Sequence, residues 1–238
     1  MNIETCRLSV GGVAVDVVRK DIKNLHLGVY PPSGHVRVAA PLAVSDETIR
    51  LAIVDKLGWI KRQRERFRAQ PRQSAREMIG RETHYFLGRK LQLRVHEHDA
   101  PPQVAIRGVA TLDLFVRPGA SVDQRRAVLA NWYRQQLRAL VPPLLDKWQT
   151  VLDVDTAAWG IKKMKTKWGS CNSSARRIWL NLELAKKPAR CLEYVVVHEL
   201  LHLRHPHHDQ RFIARLDQHL PAWRRIKDEL NREPLADE

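Results

Sequence analysis

Alternating apolar and polar positions open the chain and predict a β-rich N-terminal part. Four such stretches lie within the first forty residues, at 6–10, 13–18, 25–30 and 35–40. Gly11-Gly12 separates the first two stretches and suits a two-residue hairpin turn. Pro31-Pro32-Ser33-Gly34 separates the last two and is also typical of a turn. The pattern therefore predicts four short strands in two pairs.

After these strands, the apolar residues recur at the spacing of a helix instead of alternating with polar ones. A helix is expected from about Ser45, with Asp46 and Glu47 in its first turn, and Pro71 is expected to end it. Its apolar face consists of Ile49, Ile53, Leu57, Ile60 and Phe67. Its remaining face is basic and carries Lys61, Arg62, Arg64, Arg66 and Arg68. This long helix completes the β-rich N-terminal part.

A second β region and a helical C-terminal half follow. Short strands are expected at residues 83–87, 90–96, 103–107 and 111–116. From about Val122 the apolar spacing is helical, until Pro142-Pro143 is expected to kink or break the helix. No internal repeat is found. The pattern predicts an α+β fold with a β-rich region over residues 1–120 and a helical domain over 121–238, or one continuous unit.

Charge is the unusual property of the composition. The 238 residues include 41 Lys+Arg against 26 Asp+Glu, a formal net charge of +15, and the pI is about 10.2. Such an excess favours an anionic partner, with nucleic acid the first candidate. No stretch approaches the roughly 18 apolar residues of a membrane span, and no secretory leader is expected. Three widely spaced cysteines favour a reduced, cytoplasmic setting.

The main candidate for chemistry is His-Glu-x-x-His at residues 198–202, inside an apolar stretch. Residues four apart lie on one face of a helix, so His198 and His202 can bind the same Zn²⁺. Glu199 can then reach a metal-bound water as general base. Such a motif is often an ordinary surface helix. Here, buried polar side chains among valines and leucines need partners, which favours the metal.

A catalytic zinc normally has three protein ligands and one open position. His205, His207 and His208 are candidates for the third. Pro206 disfavours a helix at His205, so the chain is expected to turn back there. His208 is six residues beyond His202, the offset of the third ligand in the long zincin motif. We therefore expect His208 to be the ligand, with His207 second.

A second segment, Met164 to Cys171, contains Trp-Gly-Ser-Cys and several lysines. Taken alone, these lysines are more typical of a solvated face, and Cys171 of a packed thiol. Together with Leu180-Asn181, Tyr194–Leu200 and His208, however, the segment resembles the YgjP-like metal-dependent hydrolases. These are minimal zincins related to the SprT-like proteases.

The resemblance extends over nearly the full length of the chain. It implies a C-terminal minimal zincin-type domain that carries the HExxH helix. It also implies zinc ligands His198, His202 and His208, with Glu199 as general base.

Three functions follow as hypotheses. The first is zinc-dependent cleavage of peptide or protein substrates, with an extended substrate paired to an edge strand near Ile178–Leu182. Lys167, Asn172 and His207 are guesses for the oxyanion donor. The second is hydrolysis of nucleoside triphosphates, suggested by the cations Lys162, Lys163, Lys165 and Lys167. The third is a nucleic-acid-associated protein with a structural zinc, suggested by the basic helix.

Overall fold

The computed structural model of the chain describes residues 4–30, 33–69 and 77–232. Pro31, Pro32 and Pro71, on which a turn and a helix end were predicted, lie outside these residues. The side chains of Arg66 and Arg68 also lie outside the described part. Two compact units are present, one within residues 1–73 and one within residues 74–233. The mixture of sheets and helices confirms the α+β class.

The first unit consists of a four-stranded sheet and two helices: β1 (Glu4–Val10), β2 (Val13–Lys20), β3 (His26–Tyr30), β4 (His35–Pro41), α1 (Asp46–Asp55) and α2 (Leu57–Ala69). The order in the sheet is β1-β2-β4-β3, with β2 and β4 parallel and the outer pairs antiparallel. Gly11 and Gly12 form the predicted hairpin turn with φ of +56° and +75°, angles that glycine adopts without strain.

The helix predicted to run without interruption from Ser45 is divided in two. Ser45 caps α1 as expected, since its side chain accepts a hydrogen bond from the backbone N–H of Thr48 at 3.2 Å. α1 ends at Asp55, and α2 begins at Leu57. Ile49, Ile53 and Ile60 are nevertheless fully buried in one core. The apolar spacing continues across the interruption, which is why the sequence pattern does not reveal it.

The described part of the second unit, residues 77–232, contains two sheets and four α-helices. Its elements are β5 (Thr83–Phe86), β6 (Arg89–Glu97), β7 (Gln103–Arg107), β8 (Thr111–Val116), α3 (Val122–Leu152), β9 (Ala158–Lys162), β10 (Gly169–Asn172), β11 (Arg177–Asn181), a 3-10 helix (Leu182–Lys186), α4 (Ala189–Leu201), α5 (Gln210–His219) and α6 (Trp223–Arg232).

The sheet of β5 to β8 repeats the topology of the first unit. Its order is β5-β6-β8-β7, again with a parallel central pair and antiparallel outer pairs. In both units a serine N-cap, Ser45 or Ser121, opens the helix that follows the last strand. The two units thus share a strand order, although no repeat is found in the sequence. A shared strand order requires only a similar apolar alternation, so residue identities can diverge.

Helix α3 packs against both this sheet and the helix that carries the HExxH motif, α4. It runs unbroken through Pro142 and Pro143, so the predicted break does not occur. Leu137, Val141 and Leu145 are buried on both sides of the prolines, and this burial offsets the lost backbone hydrogen bonds. Residues 77–120 share one hydrophobic core with the C-terminal helices. The domain boundary predicted at residue 120 stays a prediction.

The smaller sheet has the order β10-β11-β9. β11 pairs in parallel with β9 and antiparallel with β10, so it is the central strand. The prediction of a substrate-binding edge at Ile178–Leu182 is therefore wrong. The edges are formed by β9 and by β10, which begins at the glycine of the Trp-Gly pair. Apolar–polar alternation identifies a strand but not the strands beside it in the sheet. The position in the sheet decides whether a strand has a free edge that can pair with a substrate.

Among the described residues no helix is long and apolar enough to cross a membrane. The three cysteines are free thiols: Cys6 is exposed, Cys171 is partly buried and Cys191 is buried.

Candidate metal centre

Helix α4 holds two of the predicted ligands inside the protein. Its middle, Val195–Val197, and its last residues, Leu200 and Leu201, are buried. His198 and Glu199 lie in the final turn, and His202 caps the helix. α4 packs against α3, α5, α6, β10 and β11. The apolar residues on either side of the motif thus fix its position in the core.

The chain turns back after His202 and brings His208 to the same place. Asp209 caps α5, because its carboxylate accepts a hydrogen bond from the backbone N–H of Phe212 at 2.9 Å. His208 Nε2 lies 3.0 Å from His198 Nε2. One nitrogen from each of His198, His202 and His208 lies within 4.8 Å of the other two. The turn around Pro206 therefore assembles the three predicted histidines, while the described structure does not place the rings of His205 and His207 in this group.

Aromatic and backbone contacts orient the three rings. The Phe212 ring contacts all of them, with centroids 4.8–5.0 Å apart. His202 Nδ1 donates a hydrogen bond to the carbonyl of His205 at 3.0 Å. This bond leaves His202 Nε2 free as a ligand atom. His198 Nδ1 is buried without a hydrogen-bond partner in the described part of the chain.

The electrostatics of the cluster favour neutral rings. Burial, together with the nearby charges of His202, His208 and Lys227, lowers the pKa of His198 to about 3. Burial also lowers the pKa values of His202 and His208. Neutral imidazoles keep the lone pairs that metals bind. A tetrahedral zinc with bonds of about 2.0 Å would hold ligand atoms about 3.3 Å apart. The three nitrogens, within 4.8 Å, fit such an ion.

Glu199 lies beside the histidines with its side chain only 5% exposed. Burial, partly opposed by the charge of Lys167, raises the pKa of this carboxyl to about 8. The carboxylate packs directly on the backbone of β10. A Cβ at Gly169 would lie 2.5 Å from Glu199 Oε1, so a larger residue at this position would displace the carboxylate. The glycine of Trp-Gly-Ser-Cys is thus explained by this close approach.

A cavity of about 600 Å³ opens on these residues. Its walls are the edge strand β10, the end of α4, and the facing sides of α5 and α6. Of the four lysines that suggested phosphate binding, Lys167 lines the cavity and the other three are not among its lining residues. Lys162 instead lies over the Trp179 ring, at 4.8 Å from its centroid. Of these four lysines, Lys167 is therefore the one whose charge lies at the site.

The loop that carries Lys167 is held by Asn181, which is fully buried. The Asn181 side chain donates to the carbonyls of Met164 at 2.9 Å and Lys167 at 2.7 Å. Its oxygen accepts from the N–H groups of Met164 and Glu183. All four of these hydrogen bonds hold the loop or the 3-10 helix in place. Asn181 is a functional candidate that the sequence marked only through the family resemblance.

Two other guesses for an oxyanion donor, Asn172 and His207, do not line the cavity. Asn172 instead accepts a hydrogen bond from the N–H of Ala175 in the turn after β10. The basic helix belongs to the other compact unit, where Lys61 and Arg62 are exposed. Nucleic-acid binding by that helix stays a prediction.

The sequence pattern also did not indicate the aromatic and basic part of the cavity wall. Tyr194 and Trp223 stack with ring centroids 6.4 Å apart, and both line the cavity with Lys227. Trp223 and Lys227 are four residues apart, a helical spacing that indicates a shared face. The spacing gave no reason to place that face at the site, because only packing brings α6 against α4.

Comparisons with known proteins identify the family of the chain. The family model described as YgjP-like, metallopeptidase domain, matches residues 23–233. No curated protein gives a significant match. Among solved structures, the metallopeptidase zymogen of Pyrococcus abyssi abylysin is 18% identical, with a TM-score of 0.37 over 40% of this chain and 99% of that one. Because the family model spans most of its length, the chain belongs to the YgjP-like family and is a metallopeptidase-domain hydrolase.

Proposed function

We propose that the protein is a zinc-dependent peptidase in which His198, His202 and His208 hold the metal and Glu199 is the general base. The observation that carries this proposal is the convergence of three imidazole nitrogens, within 4.8 Å of one another, beside a buried glutamate at an open cavity. The donor set supports zinc, because three neutral histidines and one open position are typical of catalytic zinc. The family assignment supports peptide and protein substrates.

When bound, zinc supplies a Lewis acid that polarises the scissile carbonyl and lowers the pKa of water. The chain supplies the proton transfers. A carboxyl with a pKa near 8 is close to the neutral range in which a general base works best. Glu199 accepts a proton from the attacking water at a carboxylate oxygen and then delivers it to the leaving amine. Gly169 leaves the space that this carboxylate occupies.

The edge strand β10 is the part of the chain that can hold an extended substrate. It pairs with β11 on one side, and Gly169, Ser170 and Cys171 line the cavity. A peptide added as a further strand would form main-chain hydrogen bonds with this edge. Its scissile bond would then pass in front of Glu199. This role replaces the one predicted for the central strand β11.

Glu199→Gln and His208→Ala test the proposal separately. Glu199→Gln keeps the shape of the side chain but cannot accept the proton, so peptide hydrolysis should fall by about 100-fold or more while zinc content stays unchanged. His208→Ala removes one ligand and should lower zinc content. His207→Ala is the matched control, since His207 is exposed and outside the group of three nitrogens. Zinc content is measured by elemental analysis and hydrolysis with fluorogenic peptides.

The result that contradicts the proposal is equal hydrolysis by Glu199→Gln and wild type at equal zinc content. Nucleoside triphosphates are assayed in parallel, because Lys167 lines the site. Phosphate release that His198→Ala abolishes, together with no peptide cleavage, would favour phosphoanhydride hydrolysis instead.

A further inference from the structure

The cavity beside the histidines has an asymmetric charge. Among the described residues that line it, Glu199 is the one carboxylate, whereas Lys167 and Lys227 are both present. Two other titratable side chains there are neutral at physiological pH. Burial, reinforced by the charge of Glu199, raises the pKa of Tyr194 to about 12 and that of Cys171 to about 11. The side chains beyond the catalytic group therefore present a net positive charge to a substrate.

Lys167 is located on the Glu199 side of the cavity. Its backbone carbonyl accepts the 2.7 Å hydrogen bond from buried Asn181, so its position in the loop before β10 is defined. Its side chain is exposed, and no carboxylate among the described residues forms an ion pair with it. Lys167 lines the same cavity as Glu199, and Gly169, two residues further on, approaches the Glu199 carboxylate closely. A free cation thus lies beside the reacting bond.

Lys227 is located on the opposite side, on α6. Its ammonium lies 5.6 Å from the centroid of the Trp223 ring, which itself lines the cavity. Lys227 lines the same cavity as His198 and His208. The neighbouring Arg224 pairs with Asp217, but in the described part of the chain Lys227 has no carboxylate partner. The two lysines therefore flank the histidines, and both are available to a ligand.

We propose that the site selects peptides that carry carboxylate groups close to the scissile bond, and that Lys167 and Lys227 bind those groups. This inference rests on the proposed peptidase function and adds the substrate class. A carboxylate next to a free ammonium gains a charge-assisted hydrogen bond, whereas a lysine or arginine at the same place is repelled by both cations. The carboxylate is that of an aspartate or glutamate side chain, or of the peptide C-terminus.

Binding and cleavage are measured on one series of short peptides. The members differ at a single position on either side of the central bond, which is Glu, Gln or Lys, and each is made with a free and an amidated C-terminus. Binding is measured by fluorescence anisotropy with zinc-loaded Glu199→Gln, so the result does not depend on turnover. We expect Glu peptides to bind at least about tenfold more tightly than Lys peptides at low salt, and the difference to shrink as salt rises.

Charge reversal then assigns the effect to particular residues. Lys227→Glu and Lys167→Glu, each in the Glu199→Gln background, should abolish or invert the preference. Lys227→Met and Lys167→Met should remove it with less risk to folding. Lys165→Glu is the matched control: Lys165 is exposed, belongs to the same lysine cluster and does not line the cavity. It should leave the preference within about twofold of the parent, because its charge faces solvent.

The inference is overturned if Glu and Lys peptides bind equally, or if Lys165→Glu shifts the preference as much as the cavity variants do. A preference that follows only the free C-terminus assigns the carboxylate to the terminus, and one that persists in amidated peptides assigns it to side chains. Carboxylate-dependent binding without cleavage by wild type would contradict the proposed function and would leave only the carboxylate preference of the cavity.

Discussion

Alanine at position 169 adds one methyl group to β10 where the strand faces Glu199. The backbone of Gly169 does not have a positive φ, so alanine suits the local conformation and the strand should form normally. The added Cβ would lie 2.5 Å from Glu199 Oε1, 2.7 Å from its Cγ and 2.8 Å from its Cδ. Because the Glu199 side chain is buried, it can avoid this overlap only by moving away from its present position.

The size of the effect follows from this overlap. Ordinary van der Waals contact begins at 3.4 Å, so Oε1 must move away by about 0.9 Å. Displacement of a reacting group by about 1 Å costs about 100-fold in rate, equivalent to about 2.7 kcal/mol of transition-state stabilisation. We therefore expect Gly169→Ala to lower kcat/KM by about that factor while zinc content stays at the wild-type level. The three heavy atoms nearest to the added methyl group all belong to Glu199, and none to the ligands His198, His202 and His208.

The assay is a double-mutant cycle with Glu199→Gln, measured as kcat/KM on a fluorogenic peptide. If Gly169→Ala acts by moving the carboxylate, it should add less than about twofold in the Glu199→Gln background. Thermal unfolding and zinc content of all four proteins control for misfolding and metal loss. Unchanged kcat/KM in Gly169→Ala, or losses that simply multiply in the double variant, would refute the reasoning.

Three further predictions concern stability. Asn181→Ala should destabilise the protein by about 2–4 kcal/mol in urea unfolding, because buried backbone groups of the loop lose their partner; a change under about 0.5 kcal/mol would contradict this role. Burial raises the pKa of Glu193, but hydrogen bonds from Lys147 and Trp148 outweigh burial and hold it below 4.5. Its contribution to stability is therefore complete above pH 4.5 and is lost as the pH falls through the lowered value. Glu193→Gln should lower the Tm at pH 7 more than at pH 3, and an equal loss at both would count against the ion pair. Chelation of the metal should lower the Tm of wild type, since zinc binds the folded histidine cluster, and should leave the Tm of His208→Ala nearly unchanged.

Much of the local structure was predictable because it depends on neighbouring residues. The hairpin at Gly11-Gly12, the cap at Ser45 and the strands of both four-stranded sheets follow from turn chemistry and alternation. The break at Lys56 was not predictable, because the buried isoleucines keep a helical spacing across it. The unbroken path of α3 through Pro142 and Pro143 was also missed, since burial on both sides of the prolines offsets a local penalty.

The residues of the candidate site were likewise predictable only in part. His198, Glu199 and His202 are placed together by helical geometry alone, so their spacing was informative without any fold. The proximity of His208 depends on a turn, and its nitrogen lies 3.0 Å from that of His198 only because Asp209 starts α5 at the right point. Gly169, Lys227 and the edge position of β10 have no local signal, since each matters through a neighbour distant in the chain.

The sequence by itself therefore determined the strands of the two four-stranded sheets, the start of α1 and the HExxH motif, because turn chemistry, periodicity and i,i+4 spacing are properties of a single segment. Only the tertiary structure decided which strand is free to pair, how deeply Glu199 is buried and which of many lysines face the cavity. Pairing, burial and electrostatic potential each depend on groups that are brought together from separate segments, and packing alone brings them together.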